Sequence, residues 1–149
     1  MTTIAYKDGV LVADGRMTQG DTIFNEDFKK ITQGPNGHMG GAAGNASAVH
    51  AFLAWVKQPD PLASDPPAGE YSGVLVMPEG HYFLYENGAP VGDSISSSLP
   101  TALGSGAIAA LGAMRAGASP HQAVIAATKT DIYSGGVIRI HRITRKRKT

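Results

Sequence analysis

Thr2 is the residue of this 149-residue chain whose position alone suggests chemistry. It is small enough for an initiator methionine to be trimmed ahead of it, and loss of Met1 would leave Thr2 with a free α-amino group. Such a group has an unperturbed pKa of about 7.7–8.0, so a usable fraction is neutral near pH 7. A hydroxyl beside its own neutral amine is a nucleophile that carries its base with it. Met-Thr-Thr is also an ordinary chain start, so the reading depends on the residues that accompany it. Cysteine is absent, which removes thiol nucleophiles, disulfides and thiolate zinc sites. The five histidines (His38, His50, His81, His121 and His141) have no metal-ligand spacing and read as surface or packing groups. Trp55 reads as core or interface.

Composition narrows the class. Hydrophobic residues at 42% and charged residues at 17% fit a soluble globular chain, and residues 1–149 are enough for one domain with a sizeable core. A net charge of +1 argues against a dedicated nucleic-acid binder. The basic residues crowd the end, at Arg139, Arg142, Arg145, Lys146, Arg147 and Lys148; this run reads as a solvated tail, flexible over 144–149. There is no basic-then-apolar signal pattern and no apolar run of membrane-spanning length, which points to the cytoplasm and away from a membrane.

The elements that must position any site follow from periodicity and turn residues. Thr2 to Lys7 and Val10 to Ala13 read as a hairpin turned by Asp8-Gly9. Asp14-Gly15-Arg16 breaks the strand, Met17 to Asp21 reads as a loop, and Thr22 to Phe28 is ambiguous. Lys29 to Thr32 reads as a short strand, Pro35-Asn36-Gly37 as a turn, and His38 to Ala43 as a strand running into Gly44. Asn45 is a good N-cap for an amphipathic helix bearing Ala46, Val49, Phe52, Leu53 and Val56, which must stop before Pro59. Pro59 to Gly69 is a loop. Tyr71 to Met77 and His81 to Tyr85 form a second hairpin turned by Pro78-Glu79-Gly80, followed by a polar extended stretch around Ser94 to Ser98. Ser105 opens a helix over Ala107 to Ala116, closed by Gly117. Ser119-Pro120 starts another, carrying Ala123, Val124, Ala127 and Ile132 toward a core and ending at Gly135-Gly136. Val137 to Ile143 alternates as a final strand. Hairpins at both ends with helices between them indicate an α+β fold, sheets covered by helices.

Six local features stand in one order: Met1-Thr2-Thr3-Ile4, Ala13-Asp14-Gly15-Arg16, Lys29-Lys30, Gly41-Ala42-Ala43-Gly44-Asn45, Leu103-Gly104-Ser105-Gly106, and Asp131-Ile132-Tyr133-Ser134-Gly135-Gly136. Together they resemble the proteasome β-subunit and HslV-type family of N-terminal nucleophile (Ntn) hydrolases, over nearly the whole chain from Thr2 to about Ile143. The opening is most similar to HslV, and Asp131 to Gly136 to a proteasomal β subunit. The resemblance implies an αββα sandwich of two antiparallel sheets flanked by helices.

It also implies roles. Thr2 would be the nucleophile and its amine the proton acceptor, through a water. Lys30 matches the family's buried lysine, whose fixed cation lowers the pKa of hydroxyl and amine. Asp14 matches the aspartate that keeps that lysine charged; a surface ion pair is the alternative for the two. Gly44 matches the glycine whose N–H faces the developing oxyanion, and a tight strand-to-helix turn is equally consistent with it. Ser105, Asp131 and Ser134 match the network that orients the amine, although Ser105 is also a credible N-cap. Thr18 would bind substrate backbone, and Met17, Phe28, Thr32, Ala42 and Ala46 would shape a pocket for an apolar residue before the cut. The chemistry needs no cofactor. A structural sodium or magnesium ion on backbone carbonyls near Thr128, Asp131 and Ser134 is a further implication.

The chain departs from the family in places. Lys57 to Glu70, short and proline-rich, stands where relatives carry a second long helix, so that helix is shortened or missing and a smaller or differently packed assembly becomes an option. The aspartate usual within the first helix is absent, with Ala48 nearby, and Thr2 directly follows the initiator methionine with no propeptide. Three functions stay open: a threonine endopeptidase in a homo-oligomeric ring, acting on peptides or unfolded proteins and fed by an ATP-dependent unfoldase; an Ntn amidohydrolase on a small molecule; and a catalytically inactive ring or structural subunit. Retention of Thr2, Asp14, Lys30, Gly44, Ser105, Asp131 and Ser134 together weighs against the last.

Overall fold

The computed structural model describes residues 2–143; Met1 and the expected basic tail at 144–149 lie outside the described residues. Strands β1 (Ile4–Lys7) and β2 (Val10–Ala13) form the expected hairpin about Asp8-Gly9. Then come β3 (Met17–Gln19), β4 (Thr22–Asn25), β5 (Ile31–Gln33), β6 (Met39–Gly44), helix α1 (Ala46–Val56) and a single 3-10 turn at Pro61–Ala63. The second half holds β7 (Tyr71–Met77), β8 (His81–Glu86), the short β9 (Ala89–Pro90), β10 (Ile95–Ser96) and β11 (Thr101–Leu103), then α2 (Ala107–Arg115), α3 (Pro120–Thr130) and β12 (Arg139–Arg142).

Every strand pairing is antiparallel. One sheet runs β11-β1-β2-β12, the other β10-β8-β7-β6-β5 with β9 on β8, and β3-β4 stands apart as a two-stranded ribbon. Alternation along the strands sorts side chains into layers. Ile4, Tyr6, Leu11 and Ala13 of one sheet meet Ile31, Met39, Val74, Val76 and Tyr82 of the other in a core between the sheets. Their neighbours Ala5 and Val12 point the opposite way, against Ala110, Met114, Ala123, Val124 and Ala127 of α2 and α3. Val49, Phe52, Leu53, Trp55 and Val56 of α1 cover Tyr71, Leu75 and Tyr85 on the far face of the second sheet. Fully burying one such large side chain stabilises by about 1.5–3 kcal/mol. Trp55 and His38 are packing groups; the His38 ring is buried and bonds the Val56 carbonyl at 2.6 Å.

Four expectations are corrected. Met17 to Asp21 is not simply a loop, because Met17–Gln19 pairs with Thr22–Asn25, strands whose exposed residues carry no apolar alternation to announce them. Ser105 does not cap α2: Gly106 occupies the N-cap without a side-chain bond, and the Ser105 hydroxyl turns to Asp131 instead. Helix α3 ends at Thr130 rather than at Gly135-Gly136, since Asp131 leaves helical geometry to hold the following turn. Ile132 consequently lies outside the helix and is 74% exposed, not in the core.

The other caps match the sequence. Asn45 accepts the Ser47 N–H at 3.0 Å, and Ser119 forms a reciprocal capping box with Gln122 ahead of Pro120. Among the described residues no helix is long and apolar enough to cross a membrane. Ser119→Ala should lower stability by about 1 kcal/mol in urea unfolding. Ser105→Ala, which removes no cap, should change the site more than the stability.

Candidate active site

The β1–β2 register sets Ile4 against Ala13, so the residues just outside the hairpin, Thr3 and Asp14, face one another. Asp14 N–H donates to the Thr3 carbonyl at 3.1 Å, and Thr3 N–H donates to Asp14 Oδ1 at 3.0 Å. The same oxygen receives Lys30 Nζ at 2.8 Å, while Oδ2 accepts the Gly135 N–H at 3.0 Å and the Arg16 N–H at 3.4 Å. Lys30 Nζ also donates to the Arg16 carbonyl at 2.6 Å. The side chains are 2% and 0% exposed, so Asp14 and Lys30 form a buried pair, not a surface one. Burial pushes the Lys30 ammonium below the ordinary lysine range, and the Asp14 carboxylate pulls it back only in part. The four donors around Asp14 compensate its lost hydration, the condition under which a buried carboxylate is tolerated.

These bonds bring sequence-distant motifs together. Gly15 N–H donates to the Gly135 carbonyl at 2.9 Å, and Arg16 Nη1 to the Ile132 carbonyl at 3.0 Å while its Nε holds Glu26 at 2.8 Å. The turn after α3 is thereby fastened to the loop after β2.

A second chain of hydroxyls runs behind Thr2. Ser134 Oγ donates to Asp131 Oδ2 at 2.7 Å, and Ser105 Oγ donates to the same oxygen. Ser134 has a single hydroxyl proton, so the 2.7 Å contact between Thr3 Oγ1 and Ser134 Oγ has Thr3 as its donor. Burial raises the Asp131 pKa, but the bonds from Ser105, Ser134 and the Tyr133 N–H outweigh it and hold the carboxylate below its ordinary value. Thr3, fully buried, was not among the predicted site residues. Its signal was available: strand alternation puts it on the face opposite Thr2, where a hydroxyl needs a partner. Gly106 closes over it, because a Cβ there would lie 1.9 Å from Thr3 Oγ1, and its N–H reaches the Thr2 carbonyl at 3.3 Å.

Gly44 ends β6 beside Thr2. Its φ of +144° is a left-handed-side value, and a Cβ would sit 2.4 Å from the Glu70 carbonyl, so the strand-to-helix turn by itself requires glycine. Thr2, only 3% exposed, lies where two clefts meet. The first, about 420 Å³, is lined by Thr2, Lys30, Gly44, Met17, Thr18, Phe28 and Ala46 of the predicted set. Phe24, Val49 and Arg16 join them; Phe24 escaped the sequence reading because its ribbon did. Thr32 and Ala42 do not line it: both are buried, Ala42 in the layer beneath α1. Thr128 lies on α3 with its hydroxyl on the Ile125 carbonyl, and the Asp131 carbonyl accepts the Ser134 N–H at 3.1 Å. Among the described residues no group of His, Asp or Glu side chains is arranged to hold a metal.

Lys30→Met should destabilise by about 3–5 kcal/mol in urea unfolding, because Asp14 stays buried without its cation. Adding Asp14→Asn should cost much less than the sum of the single changes, a coupling that a double-mutant cycle reads directly. The folded pKa of Asp131 lies below its unfolded value of 3.8, so its contribution is complete above pH 3.8 and is lost as pH falls through the folded value. Asp131→Asn should flatten that acid limb of the stability–pH curve.

Comparison with known proteins finds the fold and nothing finer. No family model matches the sequence, and no curated protein matches it. Among solved structures, 242 chains match. One is eukaryotic HslV from Trypanosoma brucei, with a TM-score of 0.66 at 15% identity, covering 94% of this chain and 97% of that one. The chain therefore has an HslV-like fold, in agreement with the expected architecture at that level.

Proposed function

We propose that the chain is a threonine-type endopeptidase whose nucleophile is Thr2, exposed as the N-terminal residue by removal of Met1. The observation that carries this reading is the buried Lys30–Asp14 pair, whose lysine lines the same cleft as Thr2. A buried ammonium with a lowered pKa is a costly group to maintain for packing alone, and perturbed groups of this kind concentrate at reactive sites.

In the proposed reaction the neutral Thr2 amine takes the Oγ1 proton through a water, and Oγ1 bonds to the scissile carbonyl carbon. The Gly44 N–H receives the oxyanion, a contact worth about 10²–10³ in rate at comparable sites. Collapse breaks the C–N bond, and the Thr2 ammonium returns its proton to the departing amine. Water then attacks the ester, its proton passing to the amine and on to Thr2 Oγ1. Lys30 supplies the fixed positive charge that favours the alkoxide. Ser105, Asp131 and Ser134, with Thr3, position the start of β1. Met17, Phe24, Phe28, Ala46 and Val49 favour an apolar side chain before the cut, and Thr18 is assigned to substrate backbone.

The cation assigned to the Thr128, Asp131 and Ser134 carbonyls would have neutral ligands near the end of α3, where helix carbonyls lack intrahelical partners. That donor set suits a monovalent ion better than magnesium. No step above runs through it. Assembly into a homo-oligomer, served by an unfoldase, belongs to the same proposal; exposed Ile108 and Ile132 are apolar surface such contacts would cover.

Intact-mass measurement of the purified protein should show loss of Met1. Thr2→Ala should then abolish hydrolysis of an apolar peptide reporter and Thr2→Ser should retain a measurable part of it. Because the amine must be neutral to act as base, kcat/KM should rise with pH through the amine pKa, at or below about 8. Undiminished cleavage by Thr2→Ala would refute the mechanism, and best cleavage after acidic residues would refute the pocket assignment.

A further inference from the structure

The second cleft at Thr2 differs in chemistry from the first. It encloses about 260 Å³ and is walled by Glu70, Glu86, Asn87, Ser72 and Tyr71, sharing only Thr2 and Gly44 with the apolar cleft. The nucleophile and the proposed oxyanion donor thus stand on the divide between an apolar hollow and an acidic one. A peptide whose scissile carbonyl lies at that divide must place one side of the bond in each. With the acyl portion in the apolar cleft, as the peptidase reading has it, the residue after the cut falls against Glu70 and Glu86.

We infer that this second cleft is the leaving-group subsite and that it selects a basic residue, lysine or arginine, immediately after the cut; the inference rests on the peptidase reading. Glu86 lies at the end of β8 opposite Ser72, whose hydroxyl is 3.0 and 2.8 Å from its two carboxylate oxygens. Glu70 is set in place by its backbone, its carbonyl accepting the Asn45 N–H at 3.0 Å next to Gly44. Among the described residues neither carboxylate has an ion-pair partner, and no lysine or arginine lines the cleft. Two uncompensated negative charges in one hollow are a local feature, since the whole chain carries 13 basic against 12 acidic side chains. Asn87 is fixed by two bonds to the Tyr71 backbone, donating its N–H at 2.8 Å and accepting at Oδ1 at 3.1 Å. Its amide NH₂ then has no partner among the described residues and suits a substrate carbonyl.

Thr2 and Gly44 line both clefts, so a chain bound across the nucleophile meets the two hollows in turn. Thr2 is 3% exposed and lines the second cleft, and its hydroxyl makes no hydrogen bond among the described residues.

The test uses the full chain with Met1 removed and internally quenched peptides with leucine before the cut and lysine, alanine or glutamate after it. The kcat/KM ratio of lysine to glutamate should be about fivefold or more at low salt and shrink as salt is raised, as expected for partly exposed charges. In the Glu70→Gln/Glu86→Gln variant the ratio should fall close to one; being internal, it is unaffected by a loss of folded protein. Thr2-dependent cleavage with a flat ratio would overturn this inference and leave the peptidase reading standing. A lysine preference unchanged in the double variant would overturn the assignment to these carboxylates. Absence of Thr2-dependent cleavage of every peptide would overturn the peptidase reading, and the inference with it.

Discussion

The ion pair between Lys30 and Asp14 is the constraint around which the rest is arranged. Two opposite charges removed from water tolerate little displacement, because their mutual attraction and added hydrogen bonds must offset several kcal/mol of lost hydration per ion. Asp14 meets that demand by binding four partners from four places in the chain: Thr3, Arg16, Lys30 and Gly135. Those same contacts fix where β1 begins, where the loop after β2 turns, and where the segment after α3 docks. Electrostatic necessity and tertiary topology are here one set of bonds.

Local stability is given up at several points to build this arrangement. Ser105 stands one residue too early to cap α2 and gives its hydroxyl to Asp131, leaving a helix start that a serine would stabilise by about 1 kcal/mol. Asp131 ends α3 and turns its carboxylate away from the helix. Asn45 and Ser119, whose side chains have no competing partner, cap as their types dictate. Both departures from local preference involve the Asp131 carboxylate, which takes up the Ser105 and Ser134 hydroxyls.

Much of this was legible in the chain itself. Asp8-Gly9, Asn45, Ser119-Pro120 and the alternation from Tyr71 to Tyr85 are short-range signals, and the elements they imply are present. The β3–β4 ribbon was not legible, because Thr22 to Asn25 are all exposed and no buried face imposes a period of two. The meeting of Asp14 with Gly135 spans 121 positions, and no local pattern encodes it; only resemblance to a family brought those motifs together beforehand. Thr32 and Ala42 were placed in the cleft by the same resemblance, yet both are buried and neither lines it, Ala42 packing under α1. Thr3 is the opposite case: strand alternation turns its hydroxyl away from Thr2 into the interior, where it bonds Ser134.

The pairing of β1 bears on when the proposed removal of Met1 could take place. The strand gains its neighbour β2 as soon as a few more residues are made, but its other neighbour is β11, through Ile4 opposite Leu103, and Gly106 reaches the Thr2 carbonyl from just beyond. At roughly 5–20 residues per second of synthesis, that edge stays vacant for about five to twenty seconds. If Met1 is removed as proposed, the processing enzyme meets a chain start whose strand still lacks β11 until the second half of the chain has been made.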